Sequence, residues 1–254
     1  MGLVFLKRLK GLVLPLVLLM AWEMASRQGR AYALTFIPIE KIGRSLIEII
    51  LSGELLTNLL ASLGTASTGL LIGGTVGLGL GSLMGLYPRV DKIIGPVFHS
   101  FRQVPLLGWI PLIGLWFGNG CLAKTLVVCL ASFYPMVLNS YAGIRNIENN
   151  HLEVCRVLGA SRWQTYRYIL IPGSLPFIFI GIYHALAFSW ISTVGSELLF
   201  TAGPGLGGMM QTAQMAAKMD IVIICVASIG IVGLLMNVSL AKLSGHLLRW
   251  RSTR

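Results

Sequence analysis

The chain has 254 residues, of which 55% are hydrophobic and 11% charged, with 30 glycines and a formal net charge of +11. A water-soluble domain carries roughly twice that share of charge, so the composition excludes an ordinary soluble globular protein and indicates an integral membrane protein. It also excludes a nucleic-acid binder, which gathers Lys and Arg on a folded polar domain that this sequence lacks; positive charge held on the cytoplasmic side of membrane spans explains the sign better.

Six apolar runs approach the ~20 residues that a hydrocarbon core of about 30 Å requires. The first covers Leu12 to Ala25. Lys7, Arg8 and Lys10 precede it and Ala31-Tyr32-Ala33 imitates a signal-peptidase site, but Glu23, Arg27 and Arg30 push that site too far from the apolar run. An uncleaved anchor helix followed by an external linker is therefore expected over residues 1–52, with a transmembrane domain over 53–248 and a basic tail over 249–254.

The second run, Ala66 to Leu86, carries Gly69, Gly73, Gly77, Gly81 and Gly85 at four-residue spacing. Such a stripe lets another helix approach backbone to backbone, either within the subunit or across a dimer. The third run, Ile93 to Phe117, is interrupted by Arg102, Pro105 and Pro111, and Arg102 has no assigned side of the membrane. Next, GNGCLAKT (Gly118 to Thr125) is a near miss to a phosphate-cradling loop, with Ala123 in place of the second glycine; it follows no buried strand and reads as a tight turn between spans.

The fourth run covers Leu122 to Ile144 and the fifth Leu175 to Phe200. Ionisable groups inside a bilayer are costly and default to function, which makes His184 and Glu197 of the fifth run pathway candidates, with Ser189 and Thr193 beside them. The alternatives are a histidine that donates to a neighbouring carbonyl and hydroxyls that bond back to their own helix. Met209, Met210, Met215 and Met219 come without His or Cys and read as adaptable packing rather than a copper site. No metal site is expected, and Cys121, Cys129, Cys155 and Cys225 lack the spacing of a zinc site or a disulfide framework.

The sixth run covers Ile221 to Leu243. With an internal N-terminus, six spans place Lys7, Arg8, Lys10, Arg89, Lys92, Arg145, Arg156, Arg162, Arg167, Lys242, Arg249, Arg251 and Arg254 inside. Arg27, Arg30, Lys41, Arg44, Lys124 and Lys218 then lie outside. Both termini and the loop over 145–173 are thus expected in the cytoplasm.

Within that loop Asn150 and Glu153 match a capping box, Gly159 suits a helix C-terminus, and Ser161 with Gln164 forms a second capping box opening a short helix that Pro172 ends. Leu152, Cys155 and Leu158 share one face, and Glu153 and Arg156 are placed to pair. On spacing alone this is a helical hairpin whose arginines fix topology.

The order Glu153, Gly159, Ile169, Ile171, Pro172 resembles the EAA loop of binding-protein-dependent ABC transporter permeases, with Val154 and Cys155 in place of the alanines and Ile171 in place of the leucine. PLLGWIPLIGLWFGNG (Pro105 to Gly120), FYPMVLNSYAGIRNI (Phe133 to Ile147) and Ser196-Glu197 followed by GPGLGG (Gly203 to Gly208) extend the likeness. They resemble the subgroup that imports sulfonates, taurine, nitrate or bicarbonate.

The resemblance implies an all-α importer permease of the bacterial inner membrane that is not itself an enzyme. It implies a second permease copy, two cytoplasmic ATPase subunits that bind ATP and Mg, an external substrate-binding protein, and no cofactor in this chain. It makes Glu153, Arg156, Gly159, Ala160, Ile169 and Pro172 the coupling positions. A secondary transporter would carry an internal repeat and a coupling-ion site, and a membrane enzyme a convergent catalytic set; neither is seen in the sequence.

Overall fold

The computed structural model describes residues 2–27, 36–147 and 149–247, and every regular element among them is helical. In chain order these are α1 (Gly2–Ser26), α2 (Ile39–Leu51), α3 (Glu54–Leu86), α4 (Pro88–Phe101), α5 (Leu106–Phe117), α6 (Cys121–Arg145), α7 (Asn149–Val157) and α8 (Arg162–Thr165). A π-helical turn (Tyr166–Leu170) follows, then α9 (Ile171–Leu199), α10 (Leu206–Met215) and α11 (Met219–Leu247). The segments Glu54–Leu86, Cys121–Arg145, Arg162–Leu199 and Met219–His246 are each long and apolar enough to cross a membrane. With α1 and the α4 and α5 pair the crossings come to six, the number read from the sequence.

The glycine stripe of α3 lies against α6 of the same chain. A Cβ at Gly69 would sit 2.5 Å from Val128 Cγ1 and one at Gly77 2.7 Å from the Phe133 carbonyl oxygen, while at Gly73 and Gly81 it would strike the Cys129 and Val137 carbonyls. The stripe therefore packs within the subunit. Ser132 Oγ donates across the contact to the Gly69 carbonyl at 3.0 Å, adding a hydrogen bond where backbones are closest. A second close approach holds α9 on α6: a Cβ at Gly143 would lie 2.9 Å from Phe177 Cβ, and one at Gly181 2.9 Å from Asn139 Cβ.

The third apolar run is two helices. Phe98 of α4 packs with Met84 of α3 and Val137 of α6, and its ring lies 6.1 Å from that of Phe133. By contrast, Ile110 and Ile113 of α5 pack with Ala123 and Val127 at the opposite end of α6. The two helices thus lie in series along α6 and cross once, with a break at residues 102–105. Pro105 at the N-terminus of α5 cannot extend α4, and Phe101 stacks on Trp109 across the break at 5.7 Å between ring centroids.

Other boundaries move for identifiable reasons. The second span begins at Glu54, twelve positions before Ala66, because Gly53 at φ 74° turns the chain from α2, and Asn58 and Ser62 of the first turns find partners in other elements. The segment between the first two spans contains α2, and α1 begins at Gly2. Pro172 ends no helix: α8 passes through the π-helical turn into α9, whose wider turn receives the Ile171 N–H at the Tyr166 carbonyl and makes room for the proline ring.

Gly73→Val is expected to destabilise the protein by about 3 kcal/mol, as overpacking of a closed contact does, whereas Gly79→Val at an open helix position should cost less than about 1 kcal/mol. Thermal unfolding of both purified variants in detergent checks the contrast; equal losses would remove the stripe from its packing role.

Candidate functional site

At one end of the bundle, the loop end, α6 runs into α7. Gly159 closes α7 at φ 67°, with its N–H donating to the Arg156 carbonyl at 3.1 Å and the Ala160 N–H to the Cys155 carbonyl at 2.9 Å. This pair is the 6→1 and 5→2 pattern of a helix stop that requires a left-handed residue, which a β-branched side chain would resist. Ser161 then caps α8 reciprocally: Gln164 N–H donates to Ser161 Oγ at 3.2 Å, and Ser161 N–H to Gln164 Oε1 at 2.7 Å. α7 already includes Asn149 and Asn150, and the side chains of Asn150 and Leu152 lie outside the described residues.

Glu153 and Arg156 are exposed and form no ion pair among the described residues. Ala160 and Ile169 are half-buried and Pro172 exposed. Beside them Val154, Val157 and Leu158 leave an apolar surface open, with Val157 87% exposed. An apolar patch rimmed by charge on a rigid helix is what a protein partner covers. Behind the loop, Asp91 of α4 accepts from Tyr141 Oη at 2.8 Å and pairs with Arg145 at 3.1 Å, which ties the broken span to the last turn of α6.

At the far end, Glu197 is 0% exposed and organises a clasp of three elements. Ser62 Oγ of α3 donates to both carboxylate oxygens at 2.8 Å, and the Gly207 N–H of α10 donates at 2.9 Å. Ser62 accepts in turn from the Leu206 N–H at 2.9 Å, and Asn58 Oδ1 from the Gly205 N–H at 2.8 Å. Lys124, 2% exposed on α6, supplies positive charge to this carboxylate. Gly205 and Gly207 are needed for space: a Cβ on either would collide with the Glu197 side chain. A cavity of about 290 Å³ opens beside the clasp, lined by Glu54, Asn58, Thr212 and Lys218 among others.

Ser189 and Thr193 are fully buried in α9 and bond back to the Leu186 and Ser189 carbonyls at 2.8 Å, while His184 is exposed on the same helix. Met209 packs with Ile49, Ile224 and Cys225, and Met215 is exposed. Asn58, Ser62 and Lys124 were missed by sequence reasoning. The four-residue spacing of Asn58 and Ser62 at the polar start of α3 was the available signal; for Lys124, read as an external topology charge, none was.

Glu197→Gln should destabilise the protein by about 2 kcal/mol, because the amide NH₂ would face the Ser62 or Gly207 donor and leave it without an acceptor. Loss of thermal stability in detergent, with faster proteolysis between 200 and 208, is the expected reading. An unchanged midpoint would mean that the clasp does not hold the far end together.

The chain matches the family described as "Binding-protein-dependent transport system inner membrane component" over residues 73–251. It is 32% identical over 245 residues to a Bacillus subtilis (strain 168) protein named as the aliphatic sulfonates transport permease SsuC, covering 96% of this chain and 88% of that one. It is 31% identical to the taurine transport system permease protein TauC of Escherichia coli (strain K12), covering 92% and 86%. It is 32% identical over 177 residues to the nitrate import permease protein NrtB of Leptolyngbya laminosa, covering 70% and 63%. The fold is that of a chain in the crystal structure of an amino acid ABC transporter with histidines, at a TM-score of 0.65 and 17% identity over 79% of this chain and 97% of that one. With a family match over most of its length and this helical architecture, the chain belongs to the inner-membrane permease components of binding-protein-dependent ABC transporters.

Proposed function

We propose that this chain is one half of the membrane pathway of an ATP-driven importer for a small anion, with aliphatic sulfonates or taurine ahead of nitrate or bicarbonate. The observation that carries the reading is the exposed helix α7, turned at Gly159 into α8, which runs on through the π-helical turn into α9 without a break. A helix docked in a separate ATPase subunit can pass a rigid-body movement to the far end of a 29-residue helix, about 43 Å away, only where the connection has no flexible joint. In this reading Glu153 and Arg156 make polar contacts at the joint, and Val154, Val157 and Leu158 fill the partner's groove. Ala160, Ile169 and Pro172 hold the second half of the loop. The loop end and both termini face the cytoplasm. Two copies form the path, because alternating access needs two halves to rock about it, and ATP and Mg are bound by the ATPase subunits.

The anion assignment draws on the sulfonate, taurine and nitrate names of the relatives. Specificity would reside mainly in an external binding protein, so the growth phenotype is the direct test. A deletion strain is expected to fail on at least one sulfonate as sole sulfur source, to grow on sulfate, and to recover when this chain is supplied with its ATPase and binding protein. Growth across the whole sulfonate panel with loss of nitrate or bicarbonate uptake would move the substrate to those anions.

Gly159→Val is expected to abolish uptake and co-purification of the ATPase while membrane insertion, followed by immunoblot, stays intact; normal uptake would sink the coupling assignment. The purified chain alone is expected to hydrolyse no ATP.

A further inference from the structure

The break in the third span falls beside the middle of α6, a helix long and apolar enough to cross the membrane. α4 ends where Phe98 meets Phe133 and Tyr134, at ring-centroid distances of 6.1 and 6.0 Å, and these two residues sit at the centre of α6. α5 begins where Leu106 and Trp109 pack on the cluster that includes Ala123, Val127 and Leu130, half a helix further along. Residues 102–105 therefore lie level with Leu130 to Phe133, about 16 Å from the start of α6 and about 20 Å from its end. Arg102 and Gln103 occupy this level and are exposed, and among the described residues no carboxylate pairs with the Arg102 guanidinium. One turn into α5, Trp109 carries a buried indole N–H with no hydrogen-bond partner among the described residues.

Lipid cannot be what covers this surface. An arginine at the centre of a bilayer costs about 2.5–3.5 kcal/mol even by insertion scales, and non-helical backbone at that depth is tolerated only inside protein or beside a water-filled cavity. An unpaired guanidinium and a neighbouring amide are donors without acceptors, the chemistry of a contact for a small oxyanion.

We propose that Arg102 and Gln103, set at mid-depth where the third span breaks, form the anion-contact site of the transport path, taking the sulfonate or nitrate-like headgroup in transit. This rests on the anion-import reading above. The guanidinium lowers the electrostatic barrier for an anion in the membrane, and Gln103 adds a neutral donor. Exposure keeps the contact weak enough to release the cargo. Each copy of a two-copy path contributes one such pair, and the pair differs from the buried Ser189, Thr193 and Glu197 in being open to a passing ligand.

The test uses the whole importer, this chain with its ATPase and binding protein, in liposomes, following taurine, an alkanesulfonate and nitrate in turn. Arg102→Gln is expected to lower uptake of the transported anion by about tenfold or more, with the ATPase activity stimulated by loaded binding protein preserved, and Arg102→Lys to restore most of the uptake. Gln103→Leu should lower uptake by a smaller factor. Uptake by Arg102→Gln within about twofold of wild type would overturn the site and leave the import reading standing. Parallel loss of stimulated ATPase and of assembly that Arg102→Lys fails to repair would also overturn it, in favour of a structural role. A wild-type importer that carries none of these anions would remove the import reading and the site together.

Discussion

The backbone-to-backbone contact between α3 and α6 is the constraint from which the rest of this molecule is built. In lipid, apolar side chains gain nothing by leaving one apolar medium for another, so helices associate through dispersion contacts and the few hydrogen bonds that close approach permits. Glycines 69, 73, 77 and 81 remove the side chains that would hold the two helices apart, and Ser132 uses the resulting proximity to reach a carbonyl of α3. Gly143 and Gly181 repeat the device between α6 and α9. The three helices form one frame with α6 at its centre, and each remaining element is placed by reference to it: α4 and α5 along α6, α10 against the ends of α3 and α9, and α11 against α9 through Trp190, whose indole donates to the Ile229 carbonyl at 3.1 Å.

Both ends of the frame carry polar machinery, and the physical reason differs at each. At the loop end the polar groups are exposed and local: a left-handed glycine and a reciprocal cap shape a protrusion that water can solvate. At the far end Glu197 is removed from water, and a buried carboxylate without donors would be far more costly than the bonds it makes are favourable. Ser62, Gly207 and the charge of Lys124 answer that requirement. The same helix, α9, joins the two ends without interruption, since the π-helical turn absorbs Pro172 in place of a break. The helix from α8 through α9 is thus one rod from the loop to the clasp.

Fold class, the count of six crossings, the glycine at the loop turn and the Ser161 cap were legible in the sequence, because each depends on a local property: hydropathy over a window, a missing Cβ, or a side chain reaching its own backbone. The family was legible for the same reason, through a loop whose residues are close together in the chain. The beginning of the second span was misplaced because hydropathy counts Asn58 and Ser62 as polar without knowing that Gly205, Leu206 and Glu197 supply partners for them. Pro172 was read as a stop because a proline ordinarily ends an α-helix, and only the width of the preceding turn shows that it need not.

What the sequence determined by itself was thus the inventory: which segments are apolar, which positions are small enough for close contact, and where the chain turns. Only the tertiary structure decided that the glycine stripe meets α6 of the same subunit, that Lys124 lies buried near Glu197, and that Arg102 sits open beside the middle of α6. Each of these is a relation between segments remote in the chain, and periodicity along one helix says which face is special without saying what lies across from it.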